Sequence, residues 1–313
     1  MSILALLLLL AAAPQDRIAA LEKELKELNG IVKVDSGRLV EVDLNDRTNP
    51  HFKDYRLNAR VNDAWLERLA GFADLRRLDL GNADIRGPGL RHVGSLESVN
   101  LTLTPISDDA LEALSGLTRL KVLGLASTKV TGVGVKHLQG LTKLENLNFH
   151  STPVDDAGLE WIGKLSSLVR LEIVHTRFTD AGARHLAGLV NIERLQLGSR
   201  KATGAALGSL PALSKLRELD VHDGMLSADG FRHVGKIKGL KVLRCYGGSG
   251  GDEGVRALAG LGELETLVLE GTGVTDGGLE PLAGLSRLKK LEIREPKVTP
   301  AALARLRSAL SLP

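Results

Sequence analysis

The chain has 313 residues, 61 of them leucine, about one in five, while aromatic residues make up only 3%. Such a composition yields an aliphatic, thin core assembled from many small equal parts rather than one aromatic-rich centre. Charged residues at 25% and apolar residues at 43% exclude a disordered chain. The 41 Lys and Arg against 38 Asp and Glu leave a net charge of +3, too balanced for a sequence-independent nucleic-acid binder. A single cysteine, Cys245, excludes an internal disulfide and cannot complete a zinc site.

In chain order, the first feature is an apolar run from Ile3 to Ala13. It is shorter than the about 20 residues a bilayer span needs and has the length of a secretory h-region ahead of small residues. Residues 1–13 are therefore expected to be a signal peptide and the protein to be periplasmic or extracellular; if the run is not a signal, the location is cytoplasmic. No later stretch is long and apolar enough to cross a membrane. Residues 14–30 carry Ile18, Leu21, Leu25 and Leu28 at 3-4-3 spacing, an amphipathic helix stopped at Asn29-Gly30. Residues 31–74 read as an N-terminal cap: a hairpin of Ile31–Val34 and Leu39–Leu44 around Asp35-Ser36-Gly37, a polar insertion from Asn45 to Asn58, and a degenerate repeat from Val61.

From residue 75 to 299 the chain repeats itself ten times. The pattern apolar-x-x-apolar-x-apolar begins at Leu75 and Leu96, then at Leu120, Leu144, Leu168, Ile192, Leu216, Leu240, Leu264 and Leu288, each 24 residues after the last from Leu96 onward. Positions 4 and 6 are apolar around a polar position 5, as in Leu147-Asn148-Phe149, the period of a short strand. Positions 16, 19 and 22 are apolar, as in Leu159, Ile162 and Leu165, one face of a short helix. Position 12 is usually Ser, Thr or Asp, a helix N-cap type, and position 13 is often Asp, suited to the positive helix end. Glycines such as Gly116, Gly140 and Gly188 stand where each helix turns back. Residues 300–313 form a C-terminal cap helix.

This pattern resembles the leucine-rich-repeat family, in particular its cysteine-type, ribonuclease-inhibitor-like members. The resemblance implies an α/β solenoid, a horseshoe with a parallel sheet on the concave face and short helices on the convex face. The sequence departs from the family at position 9, where Asn or Cys is common. Thr104, Thr128, Thr152, Thr176 and Thr272 stand there, their hydroxyls expected to replace part of the inter-repeat hydrogen bonding. Ala83, Arg200, Gly224, Gly248 and Pro296 cannot, so the stack is expected to be less regular around them.

No phosphate-loop, dinucleotide, nucleophile-elbow or HExxH motif is present, and no cofactor is expected. Gly247-Gly248-Ser249-Gly250-Gly251 falls at the strand-to-helix turn of a degenerate repeat rather than in a phosphate loop. Strands stack about 4.8 Å apart, which places His150 and His222 about 14 Å apart and argues against a shared metal. Ser199, His175 or His222, and Asp223 share a face without any pattern that brings them into a catalytic triad. What remains is the concave face. His150, Arg170, Glu172, His175, Arg194, Gln196, Asp220, His222, Arg244 and Tyr246 give it the mixed charge and ring content of a protein or peptide interface. A non-enzymatic, exported recognition module is the leading expectation; an intracellular adaptor that selects substrates for a ubiquitin ligase is the alternative.

Overall fold

The positions that recur every 24 residues are the buried ones. Leu120, Leu123 and Leu125 are at most 1% exposed, and Leu240, Leu243 and Cys245, at the same places in a later repeat, are fully buried. Burial pushes the Cys245 thiol well above its ordinary value, so it is a core group and not a nucleophile. The computed structural model describes residues 13–28, 30–44 and 58–312 and divides the chain into two compact parts, residues 1–148 and 149–313. The signal segment, apart from Ala13, and the polar insertion, apart from Asn58, lie outside the described residues.

In the N-terminal part, the amphipathic helix spans Pro14–Glu27 and buries Ile18, Leu21 and Leu25. Arg17 fastens it to the degenerate repeat: its guanidinium donates to the carbonyls of Arg68 (3.0 Å) and Ala70 (2.6 Å) and lies 4.3 Å from the Phe72 ring centroid. Strands β1 (Ile31–Asp35) and β2 (Arg38–Asp43) form the hairpin, turning through Ser36 and Gly37 with φ of 49° and 76°. β3 (Asn58–Asn62) and β5 (Ala83–Asp84) pair apart from the main sheet. β4 (Arg77–Asp79), β6 (Ser98–Asn100), β7 (Val122–Gly124) and β8 (Asn146–Asn148) continue from β2 in parallel, with Glu41, Arg77, Ser98, Val122 and Asn146 in register.

The C-terminal part holds six parallel strands in chain order: β9 (Arg170–Thr176), β10 (Arg194–Ser199), β11 (Glu218–Val221), β12 (Val242–Tyr246), β13 (Thr266–Glu270) and β14 (Lys290–Arg294). Its last helix, Pro300–Ala309, buries Ala302 and Leu306, and Thr299 caps it by accepting from the Ala302 N–H at 3.2 Å.

The return segments are α-helical over Asp108–Leu114, Asp156–Ile162 and Ala228–Val234 but 3₁₀ over Gly134–Gly140, Gly204–Ala212 and Glu280–Gly284. The three-apart apolar spacing is common to both kinds, as in Leu159, Ile162 and Leu165 of an α-helical return, so it did not tell one from the other. The turn back is also made differently from expectation. Leu141, Leu189, Leu261 and Leu285, after the glycines, take φ between −88° and −78° with ψ between 61° and 68°.

Position 13 does more than complement a helix end. The Asp156 carboxylate accepts from Thr179 N (2.6 Å) and Thr179 Oγ1 (2.7 Å) of the next repeat, and the Thr179 hydroxyl in turn accepts from Ala181 N (3.2 Å). The same clip joins Asp108 to Thr131, Asp180 to Thr203, Asp252 to Thr275 and Asp276 to Thr299. Position 9 behaves otherwise: the hydroxyls of Thr104, Thr128 and Thr152 donate to carbonyls three residues back in their own repeat, closing the turn locally. Beside Pro296, the buried Glu295 carboxylate instead accepts from the N–H and hydroxyl of Thr272 and from Gly273 N.

The clip requires close approach. A Cβ on Gly182 would lie 2.2 Å from Asp156 Oδ1 and 2.8 Å from its Cα. Gly182→Ala is accordingly expected to destabilise the chain by about 1–3 kcal/mol, read as a lowered urea midpoint. An unchanged midpoint would show that neighbouring repeats separate there without cost.

Candidate partner-binding face

The open face of the C-terminal part, opposite the helical returns, carries position 3, 5 and 7 side chains. Its geometry is set by a bulge. Ile173 on β9 pairs with Leu197 on β10 and Thr176 with Ser199, so Val174 and His175 together face the single residue Gly198. Val174 is buried, 1% exposed, while the His175 side chain is 49% exposed on a backbone with φ of 56°. Position 8 is left-handed in most repeats, with Asn82, Ser127, Ser151 and Asp223 in that conformation. Ser151 N and Gly247 N then donate to the neighbouring repeat's carbonyls, of Val174 (2.8 Å) and Glu270 (2.7 Å). His175 N is diverted to the Asp223 carboxylate at 3.2 Å, and His175 Nδ1 lies 2.7 Å from the other oxygen of the same group.

Asp223 is two repeats from His175, and regular strand spacing would hold their side chains about 10 Å apart. Gly198 removes the obstacle: a Cβ there would lie 2.8 Å from His222 Cβ and 2.9 Å from Asp223 Oδ2. Across this gap four rings form a row. His150 and His175 meet edge-on with centroids 5.1 Å apart, His175 and His222 meet at 6.4 Å, and His222 stacks on Tyr246 at 4.5 Å and 24°. The strand spacing of about 14 Å between His150 and His222 took no account of His175, whose ring bridges them. Among the described residues, no three His, Cys, Asp or Glu side chains form a group able to hold a metal ion.

The charged candidates beside the row are paired with one another. Arg170 joins Glu172 at 2.5 Å, Arg194 joins Glu218 at 3.2 Å, and Arg244 Nη1 joins Asp220 at 2.9 Å. Gln196 sits between them and helps line a dimple of about 40 Å³ with Arg170, Arg194, Glu218 and Asp220. Asp220 is only 7% exposed, so its role is to hold Arg244 rather than to meet a partner. Burial raises its carboxyl pKa against the lowering effect of Arg244. Burial lowers both His150 and His222; the charge of His175 adds to this at His150, and Asp220 and Asp223 oppose it at His222. Burial and Asp220 push the Tyr246 phenol up.

Ser199, the nucleophile of a paper triad, is fully buried, and its hydroxyl donates to Phe178 O at 2.6 Å. The His175–Asp223 pair is real but has no serine beside it through that residue. The pair escaped sequence reading because the only signal for it was a glycine at position 7 between two ring-bearing repeats.

The family model of the leucine-rich repeat matches residues 95–115. No curated protein matches the sequence. Among solved structures, an internalin of Listeria monocytogenes aligns over 78% of this chain and 68% of its own, at 25% identity and a TM-score of 0.64. The Arabidopsis receptor kinase HAESA, solved with the peptide hormone IDA and a co-receptor, aligns over 84% of this chain and 47% of its own, at 15% identity and a TM-score of 0.54. With its ten copies of the repeat and its parallel strands joined by short helical returns, the chain is a leucine-rich-repeat protein. That fold is in general one of protein interaction rather than catalysis.

Two outcomes test the site geometry. Gly198→Ala is expected to break the His175–Asp223 contact, read as a changed His175 imidazole nitrogen shift in an NMR spectrum of the still-folded chain. The folded chain holds His150 and His222 below the ordinary value of 6.5, so the unfolded chain binds more protons just below that pH. Their contribution to stability is complete above it and is lost as pH falls through the folded values. Thermal midpoints from about pH 8 down to about pH 5 should therefore decline, and more shallowly in a His150→Gln, His222→Gln variant. An equal slope in both proteins would place the titrating groups elsewhere.

Proposed function

We infer that this protein is a non-enzymatic recognition module, exported to the periplasm or cell surface, whose open face in the C-terminal part binds a protein or peptide. The observation that carries the reading is the row His150, His175, His222 and Tyr246. Burial makes the His150 and His222 imidazoles favour the uncharged form near neutral pH, and rings of this kind offer large rigid contact area with hydrogen-bonding edges at low entropic cost. Arg170, Glu172, Arg194, Gln196 and Arg244 border the row, and their mutual pairing leaves a rim that selects by shape and hydrogen bonding more than by net charge. The commitment of Ser199 to a backbone carbonyl supports the non-enzymatic reading. The Ile3–Ala13 run supports export.

Arg244→Ala would leave Asp220 buried without its partner, so it is a poor probe of binding. His222→Ala with Tyr246→Ala removes the stacked ring pair and leaves Asp220 with Arg244 and Asp223 with His175. For the partner that the wild-type protein captures from its own source, this variant is expected to bind at least about tenfold more weakly with a thermal midpoint near that of wild type. Equal affinity would take the ring row out of the interface. Amino-terminal sequencing of the exported fraction is expected to find a start after the Ile3–Ala13 run; an intact run on a cytosolic protein would remove export from the reading.

A further inference from the structure

The N-terminal part has a groove of about 660 Å³ of its own. Its floor exists because position 3 is small in two successive repeats: Ser98 and Val122 stand in the register row where β9, β10 and β11 carry Arg170, Arg194 and Glu218. The β1–β2 hairpin supplies one wall through Lys33, Asp35, Ser36 and Arg38. The row from Glu41 to Val122 crosses four strands, about 14 Å, which is the length of about four extended residues.

Charge in this groove is not balanced as it is beside the rings. Arg38 is held by Asp74 at 3.6 Å, Arg77 by Glu41 at 2.6 Å, and Lys121 by Glu97 at 3.1 Å. Lys33 and Arg76 also line the groove, both exposed, and among the described residues neither side chain has an ion-pair or hydrogen-bond partner. Five cations, Lys33, Arg38, Arg76, Arg77 and Lys121, face three carboxylates, Asp35, Asp74 and Glu97. With Glu41, which holds Arg77, counted as a fourth carboxylate, the surplus is one, and Asp35 is the single carboxylate left to Lys33 and Arg76. Paired cations gain little from a new carboxylate because an old one must be released; unpaired ones gain the full interaction.

We propose that this groove is a second docking surface, one that takes a short, extended acidic segment of a protein partner, its carboxylates meeting Lys33 and Arg76 over the floor of Ser98 and Val122. It is independent of the ring row and stands or falls apart from it.

The probe is a fluorescein-labelled peptide with four consecutive glutamates, titrated against the full chain by fluorescence anisotropy at low ionic strength. Saturable binding is expected, weakened at least about tenfold in Lys33→Glu with Arg76→Glu. Lys33→Gln with Arg76→Gln should give an intermediate loss, with thermal midpoints equal to wild type in both variants. His222→Ala with Tyr246→Ala should bind the peptide as wild type does. Equal binding by the charge-reversed variant overturns the proposal, as does equal binding of a tetralysine peptide. Tighter binding of a short single-stranded oligothymidylate that displaces the peptide also overturns it, because the groove would then select phosphates rather than carboxylates.

Discussion

The constraint on which the rest depends is that a 24-residue repeat cannot bury its own apolar side. One strand and one short return leave the residues at positions 1, 4 and 6 wet unless another repeat covers them, so stability is a property of neighbours. Two sets of bonds hold neighbours in step: the parallel ladder, in which Arg170, Arg194 and Glu218 fall in one row, and the clip from each position-13 aspartate to the next position-12 threonine. The clip settles a short helix against its predecessor; position 15 is alanine in the Asp180 and Asp276 clips (Ala206, Ala302) and glycine in the other three. The carboxylate occupies the space where a Cβ would stand, as at Gly134, Gly182 and Gly278.

Because stability resides in the buried positions and the clips, the open face is free to depart from regularity. It does so where β9 gains a residue against β10. The bulge costs some ladder regularity, and Gly198 leaves β10 without a side chain at the centre of the face. Together they let His175 reach Asp223 across an intervening strand and let the rings form a row. The conformation of His175 belongs to a class rare for residues with side chains, and its backbone N–H is satisfied by a carboxylate rather than by the ladder. An interior that enforces repetition thus coexists with a surface that breaks it locally.

The legibility of the candidate site differed residue by residue. That His150, His175, His222 and Tyr246 share a face followed from position number alone. That they touch did not, because contact depended on a register shift of one residue and on the absence of a side chain at Gly198. The pairing of Arg244 with Asp220 was likewise invisible, since both were simply charged residues at position 5 of adjacent repeats. Position 9 met the expectation in part: the hydroxyls of Thr104, Thr128 and Thr152 take the carbonyl of their own repeat three residues back, whereas Thr176 also reaches Gly198 O and Thr272 the Glu295 carboxylate of the next repeat.

The sequence by itself determined the repeat length, the strand and return positions and the buried set, because those depend on periodicity and burial, which are written in residue order. It did not decide which returns are α and which 3₁₀, because both share the three-residue apolar spacing. Tertiary structure alone decided which exposed groups meet: the clip between repeats, the His175–Asp223 contact and the ring row. Those are contacts between residues 23 to 48 positions apart in the chain, set within a few ångströms by bulges and missing side chains. Composition and period place a residue on a face; only the folded backbone fixes what lies beside it.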